Sequence, residues 1–214
     1  MQPEPLGALE VGRRLGARHL EVTPPQAALL AAFVGLLEHW NRVHNLTGIH
    51  DRGELIDRHL VESLALAPLI NGARAADIGS GGGLPGIPLA IVLPGIAFTL
   101  IESRRKRVSF LRHAAATLPL PNVSVAHGRA EALDLDVFDT VLARAVAPPR
   151  ELLEIATPLI APGGRLVLLT GEAKGREIAA LAAEAGYRRI GAAPDTAGTT
   201  GLKSVIVALE RPLS

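Results

Sequence analysis

The sequence predicts an α/β domain with a mainly parallel sheet, preceded by a helical extension. Three observations carry this expectation. From Arg74 onward short apolar runs of strand type alternate with helical patterns. The glycine loop Gly79-Ser80-Gly81-Gly82-Gly83-Leu84-Pro85-Gly86 follows the first run. The next run, Ala97-Phe98-Thr99-Leu100-Ile101-Glu102, ends on a carboxylate, where doubly wound sheets reach ribose hydroxyls.

At 214 residues and 48% hydrophobic, the chain is one domain of ordinary size with room for a small appendage. A net charge of +1 means that any nucleic-acid contact must come from a local patch. The chain has no cysteine, which excludes disulfides, cysteine zinc sites and thiolate nucleophiles. The N-terminus lacks a charged-then-apolar secretory pattern, and no apolar run reaches membrane-spanning length. A cytoplasmic protein with no membrane contact is expected.

Residues 1–22 show little periodicity and read as a partly ordered N-terminal arm. Thr23-Pro24-Pro25-Gln26 is a helix start: a hydroxyl cap, proline at the first position, and glutamine three residues on. Leu30, Phe33, Val34, Leu37 and Trp40 continue it at helical spacing. A polar connection, 41–48, leads to a second helix over 54–69, so that 23–72 forms the extension. The domain proper, 73–214, holds strands near 74–78, 97–102, 122–127, 138–144 and 165–169. Its helices fall near 86–93, 104–117, 149–160 and 174–185, and 204–209 is a last strand, placed antiparallel at an edge.

Two cofactor classes fit a strand, glycine loop, helix and acidic strand end: dinucleotides and S-adenosylmethionine (SAM). Gly81, Gly83 and Gly86 formally satisfy the dinucleotide fingerprint, but the register is late and Pro85 sits where the helix should start. Asp77, two residues before the first glycine, could meet the amino-acid portion of SAM but would repel a pyrophosphate. SAM is the reading these residues favour.

With SAM as donor, what is missing constrains the acceptor. Methylation at C5 of a pyrimidine needs a thiolate, which the chain lacks. Methylation of an exocyclic amine usually uses an Asn/Asp-Pro-Pro-aromatic tetrapeptide, and that slot holds Ala147-Pro148-Pro149-Arg150. Guanine N7 already carries an in-plane lone pair and needs only positioning. The run Arg104-Arg105-Lys106-Arg107, continuing to Arg112 and His113, reads either as a solvated helix face or as a clamp for RNA phosphates. Arg129 and Arg144 fall at strand ends on the ligand-binding side, with structural ion pairing as their alternative. Glu131 is open between helix-start decoration and an adenine-loop residue. His44, His50 and His59 lack the spacing and supporting ligands of a metal site, so no metal is expected. His59 reads instead as packing or hydrogen bonding where the N-terminal helices meet the sheet.

A longer set of residues is more specific. Trp40-Asn41, Asn45-Leu46-Thr47, Arg58-His59 with Ser63, Asp77 with the glycine loop through Pro88, Thr99 to Ser103 with Lys106 and Phe110-Leu111, Gly128 to Glu131, and Arg144 to Ala147 occur in order. Together they resemble the RsmG family, also called GidB, of bacterial small-subunit ribosomal RNA methyltransferases, from about residue 25 to the C-terminal strand. The resemblance implies a class I SAM-dependent methyltransferase fold, Rossmann-like with a seven-stranded sheet, carrying an N-terminal helical extension. It implies N7-methylation of one guanine in the decoding-region loop of 16S ribosomal RNA, on the RNA or on a small-subunit assembly intermediate; a monomer is expected. The cofactor-binding set becomes Asp77, Gly79, Gly81, Leu84, Glu102, Ser103, Ala130, Glu131 and Arg144, with no general base. Lys106, Arg129 and Arg144 become the substrate-positioning cations. Three positions depart from the family pattern: Thr170 stands for a usual Lys, Lys203-Ser204 for Arg-His, and Glu62 for Asp. The first two bear on RNA grip more than on the donor pocket. The competing readings are an enzyme with a small-molecule acceptor and an RNA-binding factor without turnover.

Overall fold

The computed structural model describes residues 7–49, 51–144, 146–190 and 204–213. Seven strands form one sheet in the order β3-β2-β1-β4-β5-β7-β6. They are β1 Arg74–Ile78, β2 Ala97–Glu102, β3 Val123–His127, β4 Phe138–Arg144, β5 Ile160–Thr170, β6 Arg188–Arg189 and β7 Val205–Glu210. The first five pair in parallel, and β7 runs antiparallel to both β5 and β6. Order reverses between β1 and β4, the switch point outside whose carboxyl ends open α/β sheets bind ligands.

The helices are α1 Ala8–Gly16, α2 Pro24–His44, α3 Arg52–Glu54, α4 Val61–Leu64, α5 Gly86–Val92, α6 Arg105–Thr117, α7 Pro149–Ala156 and α8 Glu172–Glu184. A π-helical turn, Leu55–Leu60, joins α3 to α4. One core packs α5, α6 and the N-terminal helices through Leu30, Phe33, Leu37, Ile87, Phe110 and Leu111. The opposite sheet face packs α7 and α8 through Leu152, Ala156, Ile178 and Ala182. Burying Phe33, Leu37 and Phe110 completely contributes about 1.5–3 kcal/mol each, so the extension is fastened to the sheet by apolar contact.

The helix expected over 54–69 is broken by the π turn, and three further segments differ from the sequence expectation. Residues 8–16, read as part of a loose arm, form a helix whose Val11 and Leu15 are fully buried. Arg14 ties it down, donating to Glu10 at 2.6 Å and to Asp57 at 2.8 Å. Its glycines and two-residue apolar stripe hide it from a periodicity count. The last strand differs as well: β7 is interior and not at the edge, because the two-residue β6 lies outside it. Finally, β5 begins at Ile160 and not near 165. Ala161-Pro162-Gly163-Gly164, left between the expected helix and strand, is absorbed into β5 through a register shift opposite Phe138 and Thr140.

The start of α2 is as its residues dictate. Thr23 N–H donates to Gln26 Oε1 at 2.9 Å and Gln26 N–H returns to Thr23 Oγ1 at 3.4 Å. The helix runs four residues beyond Trp40 and ends at Asn45 in the left-handed conformation, φ 47°. Buried Asn41 then pins the following loop, donating to Ile49 O at 3.0 Å and accepting Thr47 N–H at 2.9 Å.

Candidate active site

The glycine loop is shaped from below. Gly79, Gly81 and Gly83 all have positive φ, at 68°, 55° and 76°. A Cβ on Gly79 would come within 3.0 Å of Val146 Cγ2, and one on Gly86 within 2.4 Å of Leu100 Cδ2 and 2.7 Å of Asp77 Oδ2. Ser80 Oγ donates back to Asp77 O at 2.7 Å, closing the turn.

Two adjoining cavities open above the strand ends. The smaller, about 420 Å³, is lined by Gly79, Glu102, Ser103, Ala130 and Glu131. The larger, about 930 Å³, is lined by Gly81, Leu84, Thr47, His59, Glu62, Thr170, Lys174 and Ser204. Gly79, Arg107 and Arg144 border both. Eight of the nine sequence-chosen cofactor residues therefore meet in one cleft.

Asp77 is the exception. Its carboxylate accepts the Gly86 amide hydrogen at 3.1 Å beneath the loop, and it borders neither cavity. Burial pushes its pKa up to about 7, against the pull of the Gly86 amide and the Arg144 guanidinium. It is a fastener of the loop and not a wall of the pocket.

Glu102 is in place. It is buried at the end of β2, with Oε2 accepting Gly81 N–H at 3.1 Å and Oε1 accepting Arg104 N–H at 2.7 Å. Arg107 Nη1 stands 3.7 Å from Oε2. Lys106, expected to position the substrate, is exposed on α6 away from both cavities. One residue on a helix is a turn of about 100°, so the cation facing the cleft is Arg107. The basic run carries the signal but not the choice within it.

Arg129 borders the smaller cavity, its Nε bonded to Glu131 at 2.7 Å. This partner lowers the pKa of Glu131, but the pair is exposed and adds little stability. Lys174 Nζ donates to Ala147 O. Among the described residues Arg105, Lys106 and Arg112 have no carboxylate partner. Neutralisation of this face would have favoured a small-molecule acceptor; it is partial, since Arg107 and Arg129 each face a carboxylate while Arg105, Lys106 and Arg112 do not.

The extension contributes a cluster that the sequence only hints at. Arg144 Nη1 donates to His59 Nδ1 at 2.9 Å, and His59 Nε2 lies 2.9 Å from Thr47 Oγ1. A guanidinium can only donate, so His59 Nδ1 is unprotonated and the ring hydrogen sits on Nε2, pointing at Thr47. Burial holds His59 below its ordinary pKa, with Arg144 and Arg58 acting in the same direction and Glu62 against it. Glu62 is buried too. Burial would raise its pKa, but His59, Ser204 and Arg144 outweigh that and hold it low. Ser204 Oγ donates to Glu62 Oε1 at 3.0 Å, and Arg144 Nη1 stands 3.8 Å from Glu62 Oε2. His59 in the π turn and Glu62, three residues on in α4, come to this spot from one face. His50, Ala145 and Lys203 lie outside the described residues.

A family model described as GidB, rRNA small subunit methyltransferase G, matches residues 26–191. A ribosomal RNA small subunit methyltransferase G of Salmonella agona is 41% identical over 173 residues, covering 80% of this chain and 84% of that protein. Its counterpart in Salmonella paratyphi B is 40% identical over the same shares. Among solved structures, a SAM-dependent methyltransferase from Aquifex aeolicus aligns with a TM-score of 0.58 at 17% identity, covering 75% of this chain and 93% of that one. A glycopeptide N-methyltransferase, MtfA, complexed with SAM gives 0.61 at 14%, covering 72% and 88%. Likeness at those identities shows the class I methyltransferase fold. With the family model spanning most of the chain and relatives at two-fifths identity, this protein belongs to the GidB family, rRNA small subunit methyltransferase G.

Proposed function

We propose that this protein transfers the methyl group of SAM to N7 of one guanine in the decoding-region loop of 16S ribosomal RNA, on the RNA or on a small-subunit assembly intermediate. It acts as a cytoplasmic monomer, and no described helix is long and apolar enough to cross a membrane. The three-part division into residues 1–22, 23–72 and 73–214 belongs to the same proposal, with α1 now joining the first segment to the second.

The cleft fits the donor. A buried strand-end carboxylate, Glu102, borders the smaller cavity and can accept from two vicinal hydroxyls. Gly79, without a side chain, leaves backbone facing both cavities, and Ala130 with Glu131 edges the far side. SAM supplies a methyl group on a sulfonium, open to attack by a lone pair in line with the carbon–sulfur bond. Glu102 orients the ribose, Arg144 stands where the two cavities join, and Arg107 adds positive charge on the substrate side.

One observation favours N7 over a protonated acceptor: each buried titratable group near the cleft is already engaged. His59 uses one ring nitrogen on Arg144 and the other on Thr47, Asp77 is under the loop, and Glu62 holds Ser204. Each is thus committed to a structural partner, and N7 of guanine carries no proton to remove. The test is to incubate the protein with unmodified small-subunit particles and radiolabelled SAM and to map the labelled base. Label on one decoding-region guanine is expected; label on protein, or on a different base, would overturn the proposal.

A further inference from the structure

We propose that His59, carried in on the helical extension, is a positioning residue that holds Arg144 at the boundary between the two cavities through its unprotonated Nδ1, and so makes donor affinity depend on its protonation state. This rests on the assignment of Arg144 to the donor pocket, and the experiment below separates the two.

The geometry is directional. Arg144 ends β4 and its side chain is 26% exposed, while His59 and Glu62 are nearly inaccessible. Among the described residues, the 2.9 Å bond from Arg144 Nη1 to His59 Nδ1 is the one hydrogen bond that fixes this guanidinium from the extension's side; Glu62 is 3.8 Å away. Thr47 sets the ring. Its Oγ1 lies 2.9 Å from His59 Nε2 and accepts Ile49 N–H at 3.2 Å, inside the loop pinned by Asn41. The chain of contacts runs from α2 through Asn41, Thr47 and His59 to Arg144.

Protonation reverses it. An imidazolium donates from both nitrogens, so Nδ1 could no longer accept from Arg144 and would set two cations in contact. Glu62 Oε2, 3.8 Å from Nδ1, would then become the partner. The groups facing His59 are Glu62, which favours the charged ring, and Arg144 and Arg58, which oppose it together with burial. The bond to Arg144 is therefore held at neutral pH and broken only below the ordinary histidine range.

Two amide substitutions divide the roles of the ring. In His59→Asn the amide oxygen falls near the Nδ1 position and can accept from Arg144 at any pH. In His59→Gln the amide nitrogen falls near Nε2 and can donate to Thr47, with nothing left for Arg144. SAM affinity is measured by calorimetry without RNA, from about pH 5.5 to 8. Asp77 titrates in the same range, so the reading is the difference between each variant and wild type. At pH 8 His59→Asn should bind within about threefold of wild type and His59→Gln about tenfold more weakly, as when a hydrogen bond to a charged group is removed. On going to acid, wild type should lose affinity relative to His59→Asn.

If His59→Gln bound as well as His59→Asn, or if His59→Asn kept the wild-type acid limb, the proposal would be overturned. Arg144→Ala is measured alongside. Unchanged affinity there removes Arg144 from the donor pocket, a failure of the assignment. Weakened affinity there with normal binding in His59→Gln is a failure of the His59 role alone. Should His59→Gln melt early, the pH profile of His59→Asn still decides.

Discussion

Asp77 Oδ2 accepts the amide hydrogen of Gly86 at 3.1 Å across the base of the glycine loop, joining the end of β1 to the first residue of α5. The bond explains why the carboxylate is buried and why Gly86 cannot carry a side chain, whose Cβ would meet both Leu100 and Asp77.

Its pH dependence follows. A carboxyl raised from 3.8 to about 7 by burial stays protonated in the fold where the unfolded chain has ionised. Its contribution to stability is therefore fullest below the unfolded value and declines as pH rises toward 7. Asp77→Asn keeps an acceptor for Gly86 and removes the titration. The variant should gain stability relative to wild type as pH rises from about 4 to about 7, with a limit of about 4 kcal/mol for a shift of that size. A difference between the two proteins that does not change with pH would show that Asp77 is ionised throughout.

Asp77 also shows what a sequence can and cannot reveal here. The spacing of Asp77, the glycines and Glu102 is a local property, and it locates the loop, the strand ends and most of the cleft. Which way a side chain turns is not local. Asp77 faces down because Gly86 returns beneath it, and Lys106 faces away because α6 starts at Arg105, putting Arg107 inward. The His59 and Arg144 pair is 85 positions apart and depends on a π turn for which the residues give no separate sign. Helix α1 is hidden for a similar reason, since its two buried residues acquire meaning only against α2.

Glu102 should separate donor binding from folding. Glu102→Gln keeps one oxygen where the carboxylate offers two, to Gly81 N–H and to Arg104 N–H, and loses the charge proposed for the ribose hydroxyls. A charge-assisted hydrogen bond is stronger than its neutral counterpart, so SAM affinity should fall by about 1.5–3 kcal/mol, while the melting temperature drops by the loss of one backbone acceptor and the protein stays folded. Calorimetry and a melting curve on the same sample decide it. Unchanged affinity would remove Glu102 from the donor pocket.

The exposed cations of α6 give a different signature. Arg104 and Arg107 border the smaller cavity, the one proposed for the donor, so replacing them would mix two effects. Arg105, Lys106 and Arg112 do not border it, and among the described residues none has a carboxylate partner. Changing all three to Ala should leave SAM binding intact. It should reduce the slope of RNA affinity against salt by about 0.7 for each single-strand phosphate that the helix no longer neutralises. A wild-type slope in the triple variant would make this helix a solvated face.

The chemistry of the acceptor makes the most specific prediction. Arginine commonly reads guanine by donating to O6 and N7 together, but a donor on N7 would occupy the lone pair that must attack the methyl carbon. An N7 enzyme must keep its cations off that atom. Arg144 is held by the buried His59 before the base arrives, while Arg129 is paired with Glu131 at the surface. These residues should touch O6 or phosphate and leave N7 facing the donor. No proton leaves the base in the step. Single-turnover transfer at saturating donor should therefore show no solvent deuterium effect and no base limb between about pH 7 and 9. The product carries a cationic, labile ring, so the modified RNA should break at that guanine after borohydride and aniline. Resistance to that cleavage, or a methyl found on an exocyclic nitrogen or a ribose oxygen, would refute the N7 assignment even with SAM and RNA binding both established.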